Sequence, residues 1–77
     1  MTLLFENRFG QERPIAEVNT KQEASKEIQK FLDGYNYKSY YTRYWVNGSC
    51  ITYDVGSHSE FFKIRFNSDE EAKAFLG

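Results

Sequence analysis

Residues 37–55 read YKSYYTRYWVNGSCITYDV. Asn47-Gly48 is a strong hairpin signal, because both residues tolerate positive φ. The flanking runs, 37–46 and 49–55, are rich in Tyr, Thr, Val, Ile and Trp, the types that suit a pleated, half-buried surface. The stretch predicts an antiparallel hairpin with Val46 opposite Ser49, Tyr44 opposite Ile51, Thr42 opposite Tyr53 and Tyr40 opposite Val55. Directly opposed residues share a face. Ile51, Tyr53 and Val55 form the apolar side of their strand, so Tyr40 and Tyr44 are expected in the core. Tyr35 and Tyr37 fall in the connection before the hairpin and are assigned to neither side.

Upstream, residues 2–9 read as a strand and Gly10-Gln11 as a two-residue turn with glycine first. Residues 12–18 return, with Phe5 opposite Ala16 and Leu3 opposite Val18. Pro14 removes one ladder donor, which suits an edge strand. Thr20-Lys21-Gln22-Glu23 is a capping box, and Ala24, Ile28, Phe31 and Leu32 follow at helical spacing to Gly34. Downstream, residues 60–66 form a further strand after the polar loop at 56–59. A second capping box, Ser68-Asp69-Glu70-Glu71, opens a short helix with Ala72, Phe75 and Leu76 on one side. The order is ββαβββα, an α+β fold with an antiparallel sheet and two helices packed on one face.

The 77 residues make one domain, 1–77. A chain this short buries only about 60% of its unfolded surface, which leaves little room for both a core and an enzyme pocket. Ten basic and eleven acidic residues give a net charge of −1, so bulk charge supplies no footprint for nucleic acid or an anionic membrane. The single cysteine, Cys50, rules out an internal disulfide and a thiolate zinc cluster, and suits a reducing cytoplasmic setting. The opening TLLFENRF run is too short and too charged for a signal peptide or membrane span.

The faces decide the functional reading. Helix-side positions take Ile51, Tyr53, Val55, Phe62, Ile64 and Phe66. The open face takes Tyr41, Arg43 and Trp45 from one strand, Cys50, Thr52 and Asp54 from the next, and Phe61, Lys63 and Arg65 from the last. Leu4 and Ile15 are expected outward on the first hairpin. Three rings and three basic side chains make either a set of cross-strand packing contacts or an interaction surface. As a binding surface, Tyr41, Trp45 and Phe61 are the anchors, and Arg43, Lys63 and Arg65 set orientation.

Other chemistry is thin. His58 lies in GSHSE, but adjacent residues of a short loop seldom align as a triad, so it reads as a solvated histidine. Asp69, Glu70 and Glu71 are explained by capping and the helix dipole. Cys50 sits opposite Trp45 in the expected register, with no neighbour in sequence that activates a thiol. Glu23, Lys26, Glu27 and Lys30 make a mixed-charge helix surface. No metal, cofactor or catalytic residue is expected.

The segments FENRFGQER (5–13), FLDGYNYKSYYTRYW (31–45) and DVGSHSEFF (54–62) resemble a group of small, mostly uncharacterised proteins encoded in phages and prophages of Gram-positive bacteria. The resemblance implies an accessory protein of the host-cell cytoplasm. It would bind a host or defence protein stoichiometrically, as a counter-defence inhibitor of the anti-CRISPR kind does. Two other expectations stand beside it: homodimerisation through the open face, and single-stranded nucleic-acid binding by stacking on the rings. The near-neutral charge and Asp54 on the same face weigh against nucleic acid.

Overall fold

The computed structural model describes residues 1–34, 43–56 and 59–77. The order is β1 (Thr2–Glu6), β2 (Glu12–Glu17), α1 (Lys21–Gly34), β3 (Arg43–Asn47), β4 (Cys50–Asp54), β5 (Phe61–Arg65) and α2 (Asp69–Leu76). The five strands form one antiparallel sheet in the order β2-β1-β5-β4-β3. The α+β architecture read from the sequence is therefore the architecture observed. The last strand in sequence is the middle strand in space. It joins two hairpins that do not pair with each other.

Both helices cover one face. Leu3, Phe62, Ile64, Ile51 and Tyr53 from the sheet meet Ala24, Ile28 and Leu32 of α1 and Ala72 of α2 in one buried cluster. Phe62 is fully buried, with the rings of Phe5 and Phe31 each 5.4 Å away and 4.8 Å from one another. Phe75 of α2 meets Phe66 at 5.3 Å. The caps form as their residue types dictate. Thr20 Oγ1 accepts the Glu23 amide at 3.1 Å, and Glu23 reaches back to the Asn19 amide at 2.7 Å. Ser68, in extended conformation, accepts the Glu71 amide at 3.2 Å.

Both hairpins differ from the expected register. In the second, the turn residues are Gly48 and Ser49, with Gly48 at φ +64°. Asn47 is the last strand residue and pairs with Cys50, Val46 with Ile51, Trp45 with Thr52, Tyr44 with Tyr53 and Arg43 with Asp54. Each β3 residue has moved two places along β4. An even shift keeps every side chain on its expected face. Tyr44 is thus on the helix side, but it is not core: it is 51% exposed, because β3 is an edge strand with a neighbour on one side. Tyr40 and Thr42 lie outside the described residues.

In the first hairpin the chain turns through a longer loop, Asn7 to Gln11. Asn7 organises it: its Oδ1 accepts the amides of Phe9 and Gln11 at 2.9 and 3.0 Å, and its Nδ2 donates to Gln11 Oε1 at 2.9 Å. Phe5 now pairs with Arg13, an odd shift that turns Arg13 and Ile15 to the helix side. A bulge follows, and Ala16 pairs with Leu3. The expectation that Ile15 points outward is corrected: it packs against the core and lines a shallow groove with Phe31, Glu27 and Lys30. Leu4, opposite Lys63 and Pro14, is outward as expected.

Tyr53 is 2% exposed, and among the described residues its hydroxyl has no hydrogen-bond partner. Burial, with Tyr44 beside it, pushes the phenol from 10.0 up to about 12. Folded Tyr53 keeps a proton that an unfolded tyrosine has already lost, so its contribution is complete below pH 10 and falls away as pH rises toward 12. Tyr53→Phe removes the unpaired hydroxyl and should raise stability by about 1 kcal/mol in denaturant titration. The same variant should lose this alkaline decline, measured as the unfolding midpoint between pH 9 and 12.

Candidate functional site

The alternation of each strand sends its second set of side chains to the face away from the helices. Successive rows cross β3, β4 and β5 as Arg43–Asp54–Phe61, Trp45–Thr52–Lys63 and Asn47–Cys50–Arg65. Five of the six residues expected to form the binding surface, Arg43, Trp45, Phe61, Lys63 and Arg65, therefore share this face. The sixth, Tyr41, lies outside the described residues, as does His58. Cys50 is partly buried and stands opposite Asn47 instead of Trp45, following the two-place shift.

Trp45 and Phe61 meet edge to face, with centroids 6.3 Å apart and planes at 72°. Their strands are two spacings apart, about 9.5 Å. The rings must therefore lean toward one another over β4. Beneath them Thr52 and Asp54 are buried although they point away from the helix layer. Arg43 completes the cluster. Its guanidinium lies 5.8 Å from the Trp45 ring centroid, donates from Nε to Asp54 Oδ2 at 3.2 Å, and brings Nη2 to 3.1 Å from the same oxygen as an ion pair. Asp54 Oδ1 accepts the Gly56 amide at 2.8 Å. A carboxylate held by this many donors fixes the arginine plane, and with it the face the cluster presents. Trp45 remains 41% exposed.

The other two basic side chains belong to a second cluster on the β1–β2 side. Lys63 Nζ donates to Glu6 Oε2 at 2.9 Å and lies 3.9 Å from Glu12. Arg65 binds Glu12 through both terminal nitrogens, Nη2 to Oε2 at 2.6 Å. The hydrogen bonds from Arg65 hold the Glu12 carboxyl below the usual carboxylate range. Arg43, Lys63 and Arg65 thus each have a carboxylate partner on the same face. The face is zoned: an aromatic–arginine cluster over β3–β5, and a paired-charge cluster over β5–β2.

The sequence reading missed the acidic half of this arrangement. Glu12 and Arg65 are 53 positions apart and meet across β1. The signal was present in the spacing of Glu6 and Glu12 around the turn, but it needed β5 beside β1 to become legible. Phe9 was also misplaced. Expected at a strand end, it sits in the loop built by Asn7, 78% exposed, with Arg8 at 5.9 Å from its ring centroid. Among the described residues no group of His, Cys, Asp and Glu is placed to hold a metal ion, and no helix is long and apolar enough to cross a membrane.

No protein-family model matches the chain, and no curated protein or solved structure matches it.

Because Glu12 titrates below its unfolded value, its stabilisation is present above the usual carboxylate range and is lost as pH falls through the lowered folded value. Glu12→Gln should flatten that acid limb of the stability profile. At neutral pH a Glu12/Arg65 double-mutant cycle should give a coupling of about 0.5–1 kcal/mol, small because Arg65 is half-exposed.

Proposed function

We propose that this chain is a small non-enzymatic protein that binds another protein through the outer face of its sheet. Trp45, Phe61 and Arg43 are the anchors, and Lys63 and Arg65 form an orienting rim. The observation that carries this reading is the Trp45–Phe61–Arg43 cluster. It is a partly exposed aromatic and arginine group seated on buried polar residues. Aromatic residues and arginine dominate interface hot spots, which are most effective when preorganised and ringed by groups that need no new partner. Asp54 holds the arginine, and the ion pairs of the rim satisfy their own charges.

The partner is a host or defence protein met in the cytoplasm of a phage-carrying bacterium, and the action is stoichiometric inhibition of the counter-defence type. This half of the proposal comes from the sequence resemblance. Single-stranded nucleic acid has less support on this face. The rings offer a stacking platform, but binding a polyanion draws on cations free to replace counterions. Here Arg43, Lys63 and Arg65 are already engaged with carboxylates.

The test is capture from bacterial lysate by wild type beside a Trp45→Ala, Phe61→Ala double variant, with circular dichroism on both. A specific protein held by wild type and lost by a folded variant is the expected result, corresponding to a loss of 2 kcal/mol or more, roughly 30-fold in affinity. Retention of that protein by the variant would sink the surface assignment. Titration with an oligonucleotide at low salt should leave Trp45 emission unchanged. Salt-dependent quenching would favour the nucleic-acid reading instead.

A further inference from the structure

The two edges of the sheet are built differently. β2 carries Pro14, which lacks a backbone donor, a bulge at Ile15, and the charged Glu12, Arg13 and Glu17. Proline, bulges and charges are the devices by which sheet edges resist pairing with other chains. β3 has a regular ladder over all five residues, without proline or bulge. Its one charged residue, Arg43, is turned inward to Asp54. Among the described residues no strand pairs with its outer side.

The phase of the ladder shows which groups lie on that edge. Ser49 C=O accepts the Phe66 amide at 2.8 Å, so Ser49, Ile51 and Tyr53 turn their backbone polar groups toward β5. Cys50, Thr52 and Asp54, by alternation, turn theirs toward β3, where Asn47, Trp45 and Arg43 answer them. The N–H and C=O groups of Tyr44 and Val46 therefore point out of the sheet.

We propose that β3 pairs antiparallel with β3 of a second copy, about a two-fold axis at Trp45, so that two sheets become one. In this register Tyr44 and Val46 of the second copy exchange both of their backbone hydrogen bonds, and the reciprocal pair does the same. Val46 of one copy covers the half-exposed Tyr44 ring of the other on the helix side. The two Trp45 rings adjoin on the outer face. Arg43 stands opposite the neutral Asn47, so no like charges oppose, and the edge is complementary to itself in charge as well as shape. Moving the axis to Val46 would set Tyr44 against the turn at Gly48 and leave its ring uncovered. A five-residue pairing covers less than the roughly 1,200–2,000 Å² of a stable interface, so the dimer is weak, at or above about 1 µM. It places two Trp45–Phe61 clusters side by side, and it stands independently of the binding function proposed above.

Sedimentation of the purified chain over about three decades of concentration tests this without any host partner. Wild type should pass from monomer to dimer. Val46→Pro removes an edge donor that β4 does not use and should leave a monomer with native circular dichroism. Asn47→Arg and Asn47→Glu alter only an exposed residue opposite Arg43, which keeps the test sound if the proline variant unfolds. The first should weaken the dimer, and the second tighten it, each by about threefold to tenfold. Wild type monomeric throughout, or a dimer that Asn47→Arg and Asn47→Glu leave unchanged, would overturn the proposal. So would a dimer that survives a folded Val46→Pro variant.

Discussion

The insertion of β5 between β1 and β4 is the constraint on which the rest of the structure depends. Each hairpin can form its own ladder, and among the described residues the sheet joins the two through Phe61–Arg65. Phe62 is the physical centre of that junction, opposite Phe5 on one side and Tyr53 on the other, with Phe31 of α1 above it. Without this strand Leu3 and Ile51 have no common core to enter. Both are fully buried because Ile64 stands between them.

The same insertion builds the outer face. Lys63 and Arg65 can reach Glu6 and Glu12 because β5 lies beside β1, and Phe61 can lean to Trp45 because it lies beside β4. One strand thus supplies both zones of the face. Pairing the three cations with carboxylates leaves Trp45, among the described residues of that face, as the exposed large apolar side chain. It also makes the cross-strand packing of the rings and their use as a contact surface compatible, because Trp45 touches Phe61 and still meets solvent.

Legibility followed the parity of the register. Around Asn47-Gly48 the turn moved by one residue on each strand, so pairings shifted by two places and the faces read from sequence stayed correct for Trp45, Tyr44, Phe61 and Asp54. Around Gly10-Gln11 the loop lengthened, Phe5 moved to Arg13, and the odd shift carried Ile15 to the helix side before the bulge set Ala16 opposite Leu3, in the place expected for Val18. The side-chain hydrogen bonds of Asn7 that impose this loop have no pattern as strong as Asn-Gly to announce them.

The sequence by itself determined the elements and most of their sides: two capping boxes, the apolar stripes of both helices, a hairpin turning at Gly48 and the outward set Arg43, Trp45, Phe61, Lys63 and Arg65. These are local properties, set by period and by the φ and hydrogen-bonding preferences of residues close in the chain. The tertiary structure alone decided that β5 is central, that Tyr44 lies at an edge and not in the core, and that Arg43, Lys63 and Arg65 each meet a carboxylate. Those outcomes depend on strand order, which brings together residues such as Glu12 and Arg65 that no local spacing connects.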